Sequence, residues 1–210
     1  MRIGMTVLTL AALAALLGAE WFDSRSGRWV AKPVASAGFV GTALAVGAAA
    51  SGYGRALLAA LVLSFAGDLF LLSPGRAAFL GGLGAFLVGH LAFAVAFLVR
   101  GAGLGWSAVA LVPLVALALA VARWLLPRVD PGMRAPVTAY IVVIVCMVAL
   151  AVGCAVRSGA PIVAVAAVLF FLSDLSVARD RFVAPGFANR LWGLPVYYVA
   201  QLLFAWSAAP

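Results

Sequence analysis

Long apolar runs leave this chain few folds to choose from. Eight stretches can be drawn, roughly 3–19, 33–50, 56–72, 77–99, 104–126, 135–156, 159–178 and 190–208, each near the ~20 apolar residues that cross a bilayer as a helix. They are rich in Ala, Leu, Val and Gly and do not alternate with polar residues, which predicts helices rather than barrel strands. The chain is 67% hydrophobic and only 10% charged, whereas a soluble domain is about half apolar and about a quarter charged. Linkers are a few residues each, so residues 1–210 read as a single integral membrane domain. The expected fold is all-α, a polytopic transmembrane bundle of about eight spans.

The first run follows Met1-Arg2 and ends in LLGAE, as a secretory signal would, but it lies at the upper edge of a signal's apolar region. Retention as a span is expected; cleavage would leave seven spans and an N-terminus near Glu20. Net charge is +8, and its distribution carries more information than its size. With eight spans, Arg2, Arg55, Arg100 and Arg157 fall on the side of the termini, and the other ten Lys and Arg residues fall in the odd-numbered loops. The positive-inside rule then puts the odd loops in the cytoplasm and both termini outside. A multi-pass protein of a bacterial inner (plasma) membrane is expected. The basic loops suit anionic lipid headgroups, and no basic domain is present to hold nucleic acid.

Two aspartates interrupt the apolar runs: Asp68 in LVLSFAGDLFLL and Asp174 in AVLFFLSDLSVA. A carboxylate in hydrocarbon is costly, so each marks a candidate functional site. Each lies about four residues before the cytoplasmic end of its run, or about 6 Å deep at ~1.5 Å per residue. That shared shallow depth fits a substrate held near the lipid headgroups better than an ion crossing the midplane. The two contexts also align: Val62 with Val168, Leu63 with Leu169, Phe65 with Phe171 and Leu69 with Leu175. Lys32-Pro33-Val34 and Arg134-Ala135-Pro136-Val137 open the second and sixth runs at a similar offset. Two parallel four-helix repeats, 1–103 and 104–210, would bring Asp68 and Asp174 together across the interface between halves.

Other polar residues are candidates to join them, each with a bland reading beside it. His90, the sole histidine, lies about 20 Å deep in its run; there it is expected to be neutral and hydrogen-bonded, and bonding a neighbouring helix is at least as good a reading as catalysis. Lys32, ahead of a helix-starting Pro33, reads equally as a snorkelling anchor or as a partner of a phosphate or an aspartate. Tyr140, Tyr197, Tyr198 and Gln201 stud the sixth and eighth runs, and Tyr198 and Gln201 share a helical face. Ser64 lies one turn before Asp68, and Ser173 adjoins Asp174. Gly81, Gly82, Gly84 and Gly89 permit close helix packing.

Several chemistries find no support. One histidine and no Cys/His cluster argue against a zinc site. Cys146 and Cys154 stand about 12 Å apart on one helix, too far to bond, and are read as core residues. There is no P-loop, no dinucleotide fingerprint in a strand–helix context, and no GxSxG to support a serine hydrolase built from Ser64 or Ser173 with His90. No cofactor or metal is expected.

An ordered set of residues resembles the YhhN-like membrane protein family, which includes the lysoplasmalogenases. It comprises Lys32-Pro33, Ser64-Phe65-Ala66-Gly67-Asp68, Phe79-Leu80-Gly81-Gly82 with Phe86 and His90, Pro136 with Tyr140, Phe171-Leu172-Ser173-Asp174, Arg181-Phe182, and Tyr198 with Gln201. Arg181-Phe182 departs mildly from the Lys-Phe expected there. The resemblance implies hydrolysis of the vinyl-ether bond of a lysoplasmalogen to a fatty aldehyde and glycerophosphoethanolamine or glycerophosphocholine. Residue chemistry fits this independently, because vinyl-ether hydrolysis needs a proton donor and a nearby anion, the division of labour of paired carboxylates. Asp68 and Asp174 are the expected pair. Tyr140, Tyr198 and Gln201 would orient substrate or water, Lys32 and Arg181 would hold the phosphate, and His90 is the weakest candidate proton carrier. A proton-coupled transporter and a non-catalytic lipid-binding protein are the alternatives.

Overall fold

The computed structural model describes residues 1–209 and contains eight α-helices. They are α1 (Arg2–Trp21), α2 (Arg25–Ala45), α3 (Gly52–Phe70), α4 (Arg76–Arg100), α5 (Leu104–Leu125), α6 (Pro131–Ser158), α7 (Pro161–Phe182) and α8 (Phe187–Ser207). No strand occurs among the described residues. Six helices are long and apolar enough to cross a membrane; α2 and α8 are not among them. The expectation of about eight spans is thus supported for six, and the reason lies in composition. Helix α2 carries Arg25, Arg28 and Lys32, and α8 carries Asn189, Arg190, two tyrosines and Gln201, all polar groups the site uses or buries.

Local chemistry sets the helix ends. The Ser24 and Ser51 hydroxyls accept hydrogen bonds from the Gly27 and Gly54 amides and cap α2 and α3. Helices α4 and α6 stop at Gly101 and Gly159, whose φ values of 93° and 66° suit glycine. Pro131 and Pro161 occupy first turns, where a missing N–H costs nothing. Pro33 does not start its helix as expected: α2 begins at Arg25, capped by Ser24, and Pro33 lies inside it. The seventh helix likewise runs on to Phe182. Asp174 is therefore about two turns from its helix end, whereas Asp68 is within one turn of the end of α3.

Successive helices pair as α1–α2, α3–α4, α5–α6 and α7–α8, and α8 also touches α1, α2 and α3. In lipid, close backbone approach replaces hydrophobic collapse as the source of cohesion. Glycine and hydroxyl side chains make those approaches here. A Cβ at Gly193 (α8) would lie 1.8 Å from the Ser176 hydroxyl (α7), and one at Gly153 (α6) would lie 2.0 Å from the Ser107 hydroxyl (α5). Of the glycines expected to pack, Gly81, Gly82 and Gly89 meet α3 or the turn after it, while Gly84 faces open space. An aromatic core of Phe86, Phe93, Phe97, Phe170, Phe204 and Tyr197 joins α4, α7 and α8. Arg100, at the end of α4, donates to the Ser207 carbonyl (2.8 Å) and stacks over Tyr53, which locks one end of the bundle. The cysteines are both free, but only Cys154 is buried; Cys146 is exposed and not the core residue expected.

Candidate active site

A cavity of about 700 Å³ opens at the other end of the bundle, and both Asp68 and Asp174 line it. No hydrogen bond joins the two carboxylates among the described residues. Each has its own set of partners. Lys32 Nζ lies 3.2 Å from Asp68 Oδ1. Oδ2 of the same carboxylate accepts hydrogen bonds of 2.7 Å from Ser36 and 2.7 Å from Tyr197. Three donors on one carboxyl group is the pattern of an acceptor-only carboxylate. Since the single Ser36 hydroxyl proton goes to Asp68, Tyr198 is the donor in its 3.1 Å contact with Ser36, a proton it shares with the Lys32 carbonyl at 3.4 Å. Tyr198, Ser36 and Asp68 thus form a chain from α8 through α2 to α3.

Asp174 is held differently. Its Oδ2 accepts from Tyr140 of α6 (2.8 Å) and lies 3.4 Å from His90 Nε2 of α4. The other ring nitrogen, Nδ1, is 2.6 Å from the Phe86 carbonyl. Phe170 stacks on the imidazole at 4.4 Å between ring centroids, and Tyr140 meets it edge-on at 5.2 Å.

The cavity has an apolar interior and a charged mouth. Its deeper wall includes Phe86, Val137, Ile141, Ile144 and Phe171. At the mouth, Glu20 at the end of α1 pairs with Arg190 of α8 (2.9 Å) and lies 3.6 Å from Arg28 of α2. Arg190 continues to Asp180 of α7 (3.3 Å), so one ionic clasp ties four helices. Between α1 and α2, the exposed Asp23 accepts from Arg28 (2.7 Å); that hydrogen bond, with the Arg28 charge, holds its carboxyl below the ordinary carboxylate range. Arg181 also lines the mouth and lies over the Phe79 ring at 4.7 Å.

The YhhN family profile matches residues 27–208. The chain belongs to the YhhN family. It is 36% identical to human lysoplasmalogenase TMEM86B over 162 residues, which is 75% of this chain and 65% of the human protein. It is 34% identical to bovine lysoplasmalogenase TMEM86A over 154 residues, 70% of this chain and 62% of the bovine protein. The matched region is thus slightly under two thirds of each relative's length. No solved structure matches.

Within this YhhN chain, the site residues expected from sequence divide into two groups. Asp68, Asp174, Lys32, Tyr140, Ser173 and Arg181 line one cavity, with His90 and Tyr198 directly behind the carboxylates. Lys32 meets an aspartate, so of its alternative readings the ion pair is the one observed. Ser64 is not in the cavity wall and donates back to the Ala60 carbonyl of its own helix. Ser173 similarly donates to the Phe170 carbonyl. Gln201 is fully buried, and neither of its amide atoms meets a partner among the described residues. His90 bonds its own helix at Nδ1 and faces α7 at Nε2, a more engaged position than its depth suggested.

Sequence reasoning missed Ser36, the clasp residues and the role of Tyr197. Ser36 had a readable signal, since it lies four residues after Lys32 and shares its helical face. Tyr197, not the neighbouring Tyr198, donates directly to Asp68.

Proposed function

We propose that this protein is a membrane lipid hydrolase that cleaves the vinyl-ether bond of lysoplasmalogens, releasing a fatty aldehyde and glycerophosphoethanolamine or glycerophosphocholine. The observation that carries this reading is two carboxylates with different partners facing one cavity that is apolar within and charged at its mouth. Its volume of about 700 Å³ falls within the ~300–1,000 Å³ of small-molecule sites. The human and bovine relatives are lysoplasmalogenases, which supports the same chemistry here.

The alkenyl chain would lie against the Val137, Ile141, Ile144 and Phe171 wall, with the phosphate toward the mouth near Arg181. A carboxyl group gives its proton to the alkene carbon distal to the ether oxygen; the π pair forms the new C–H bond. The carbon bearing the oxygen becomes an oxocarbenium, which the second carboxylate stabilises by charge. Water adds to that carbon as its proton passes to the carboxylate left by the first step. The hemiacetal then collapses: its hydroxyl proton leaves, the carbon–glycerol oxygen bond breaks, and the glycerol oxygen takes a proton. The sum is alkene ether plus water to aldehyde plus alcohol. Tyr140, in the cavity wall, holds Asp174, and Tyr198, outside it, acts on Asp68 through Ser36.

The near match of the Asp68 and Asp174 contexts supports a duplicated origin for the halves 1–103 and 104–210. The basic odd-numbered loops support placing the cavity mouth at the cytoplasmic leaflet. Aldehyde release in detergent tests the function, because a hydrolase turns over without a sealed membrane and a transporter shows no product. Release by the wild-type protein and none by Asp68→Asn or Asp174→Asn is expected; full activity in either variant would remove the pair mechanism.

A further inference from the structure

Hydrogen-bond inventory at His90 fixes the position of one proton. Nδ1 lies 2.6 Å from the Phe86 carbonyl, which can only accept, so Nδ1 carries a hydrogen. Nε2 is buried and meets no hydrogen-bond partner within strict geometry among the described residues. The polar atom opposite it is Asp174 Oδ2, at 3.4 Å. Were His90 neutral and Asp174 ionised, two lone pairs would face each other at the buried Nε2, a costly arrangement. One proton between Nε2 and Oδ2 removes the conflict, whether it rests on nitrogen or on oxygen. A separation of 3.4 Å is long for a hydrogen bond, but such contacts in unliganded sites tighten when substrate binds.

We infer that His90 is a positioning residue for Asp174, the two side chains holding one proton between Nε2 and Oδ2, so that Asp174 is the proton donor to substrate and Asp68 the anion. Exposure settles which member of the pair meets substrate: Asp174 lines the cavity and its side chain is 18% exposed, whereas His90 is 1% exposed and reaches the cavity only through Asp174. The other groups facing the pair are already engaged. Tyr140 already donates to Oδ2, and Phe170 covers one face of the imidazole. Across the cavity, Lys32, Ser36 and Tyr197 occupy Asp68. Two neutral pairs result, Lys32 with Asp68 and His90 with Asp174, and a single proton is available for transfer. In the first step it passes from Asp174 to the alkene carbon, leaving an anionic carboxylate. The proton released when water adds then restores the pair.

The assignment of donor and anion rests on the hydrolase reading, but the shared proton does not, and the experiment separates them. His90 is the sole histidine, so protein labelled with ¹⁵N-histidine gives one pair of ring resonances without assignment. A protonated Nδ1 is expected, with Nε2 displaced from the position of a bare ring nitrogen, and Asp174→Asn should return Nε2 to that position. An undisplaced Nε2 in the wild-type protein overturns the inference, whether or not the variant folds; so does a bare Nδ1. The second readout is turnover of lysoplasmenylethanolamine by His90→Gln, which keeps a donor toward Asp174 but carries no transferable proton. A fall in kcat of about 10²-fold or more with KM retained is expected. A His90→Gln variant with wild-type kcat overturns the positioning role. A displaced Nε2 in a protein that releases no aldehyde would instead retire the substrate and leave the proton pair standing.

Discussion

At the residue scale, the Asp68 cluster is the most exacting part of the site. Asp68 is buried and Lys32, which lines the cavity, is its one cationic partner among the described residues, so removing Lys32 strands a buried charge. Lys32→Met is expected to cost about 3–5 kcal/mol and to abolish activity, read by thermal unfolding in detergent beside turnover. Tyr198→Phe is milder: it removes a neutral hydroxyl whose proton Ser36 and the Lys32 carbonyl share and should cost about 0.5–1.5 kcal/mol, with activity reduced rather than lost. An unchanged midpoint in both variants would remove the cluster from the account. The two aspartates were legible because acids in apolar runs are conspicuous, and Lys32 because it precedes a proline. Ser36 was legible only through its spacing from Lys32, since a hydroxyl inside an α-helix has many routine uses and tertiary contact distinguishes them. Gln201 illustrates the limit: it shares a helical face with Tyr198, yet it is buried outside the cavity lining with no partner among the described residues.

At the element scale, cohesion between paired helices depends on glycine meeting hydroxyl. Gly193→Ala would drive a methyl group into Ser176, and Gly153→Ala one into Ser107 and the Gly103 carbonyl. Each should destabilise the protein by about 1–3 kcal/mol through overpacking. Gly84→Ala, which meets nothing within 4 Å, serves as the control and should unfold at the wild-type temperature. Equal midpoints for all three would contradict the packing account. Helix existence was readable from the apolar runs, but the ends of α2 and α7 were not. Both extend beyond their apolar cores through polar residues that pair in the clasp: Arg28 pairs with Asp23 and Glu20, and Asp180 pairs with Arg190. Such helical extensions carry no hydropathy signal.

At the scale of the whole molecule, the cavity mouth, the clasp and the basic odd-numbered loops lie at one end, and the Arg100–Ser207–Tyr53 lock lies toward the other. Charge is thus concentrated at the end where the cavity opens, and α2 and α8 are less apolar than the six helices able to cross a membrane. A single cysteine in place of Ser73, at the mouth, with Cys146 and Cys154 replaced, should react with an impermeant maleimide in inverted vesicles and not in intact cells. The reverse pattern would turn the molecule over in the membrane. The central claim is the use of two carboxylates on a vinyl ether, and the most direct test is aldehyde release from lysoplasmenylethanolamine by purified protein in detergent. Release by the wild-type protein, with none from well-folded Asp68→Asn and Asp174→Asn variants, is the predicted result. A folded wild-type protein that releases no aldehyde, or an aspartate variant that releases it at the wild-type rate, would contradict the account.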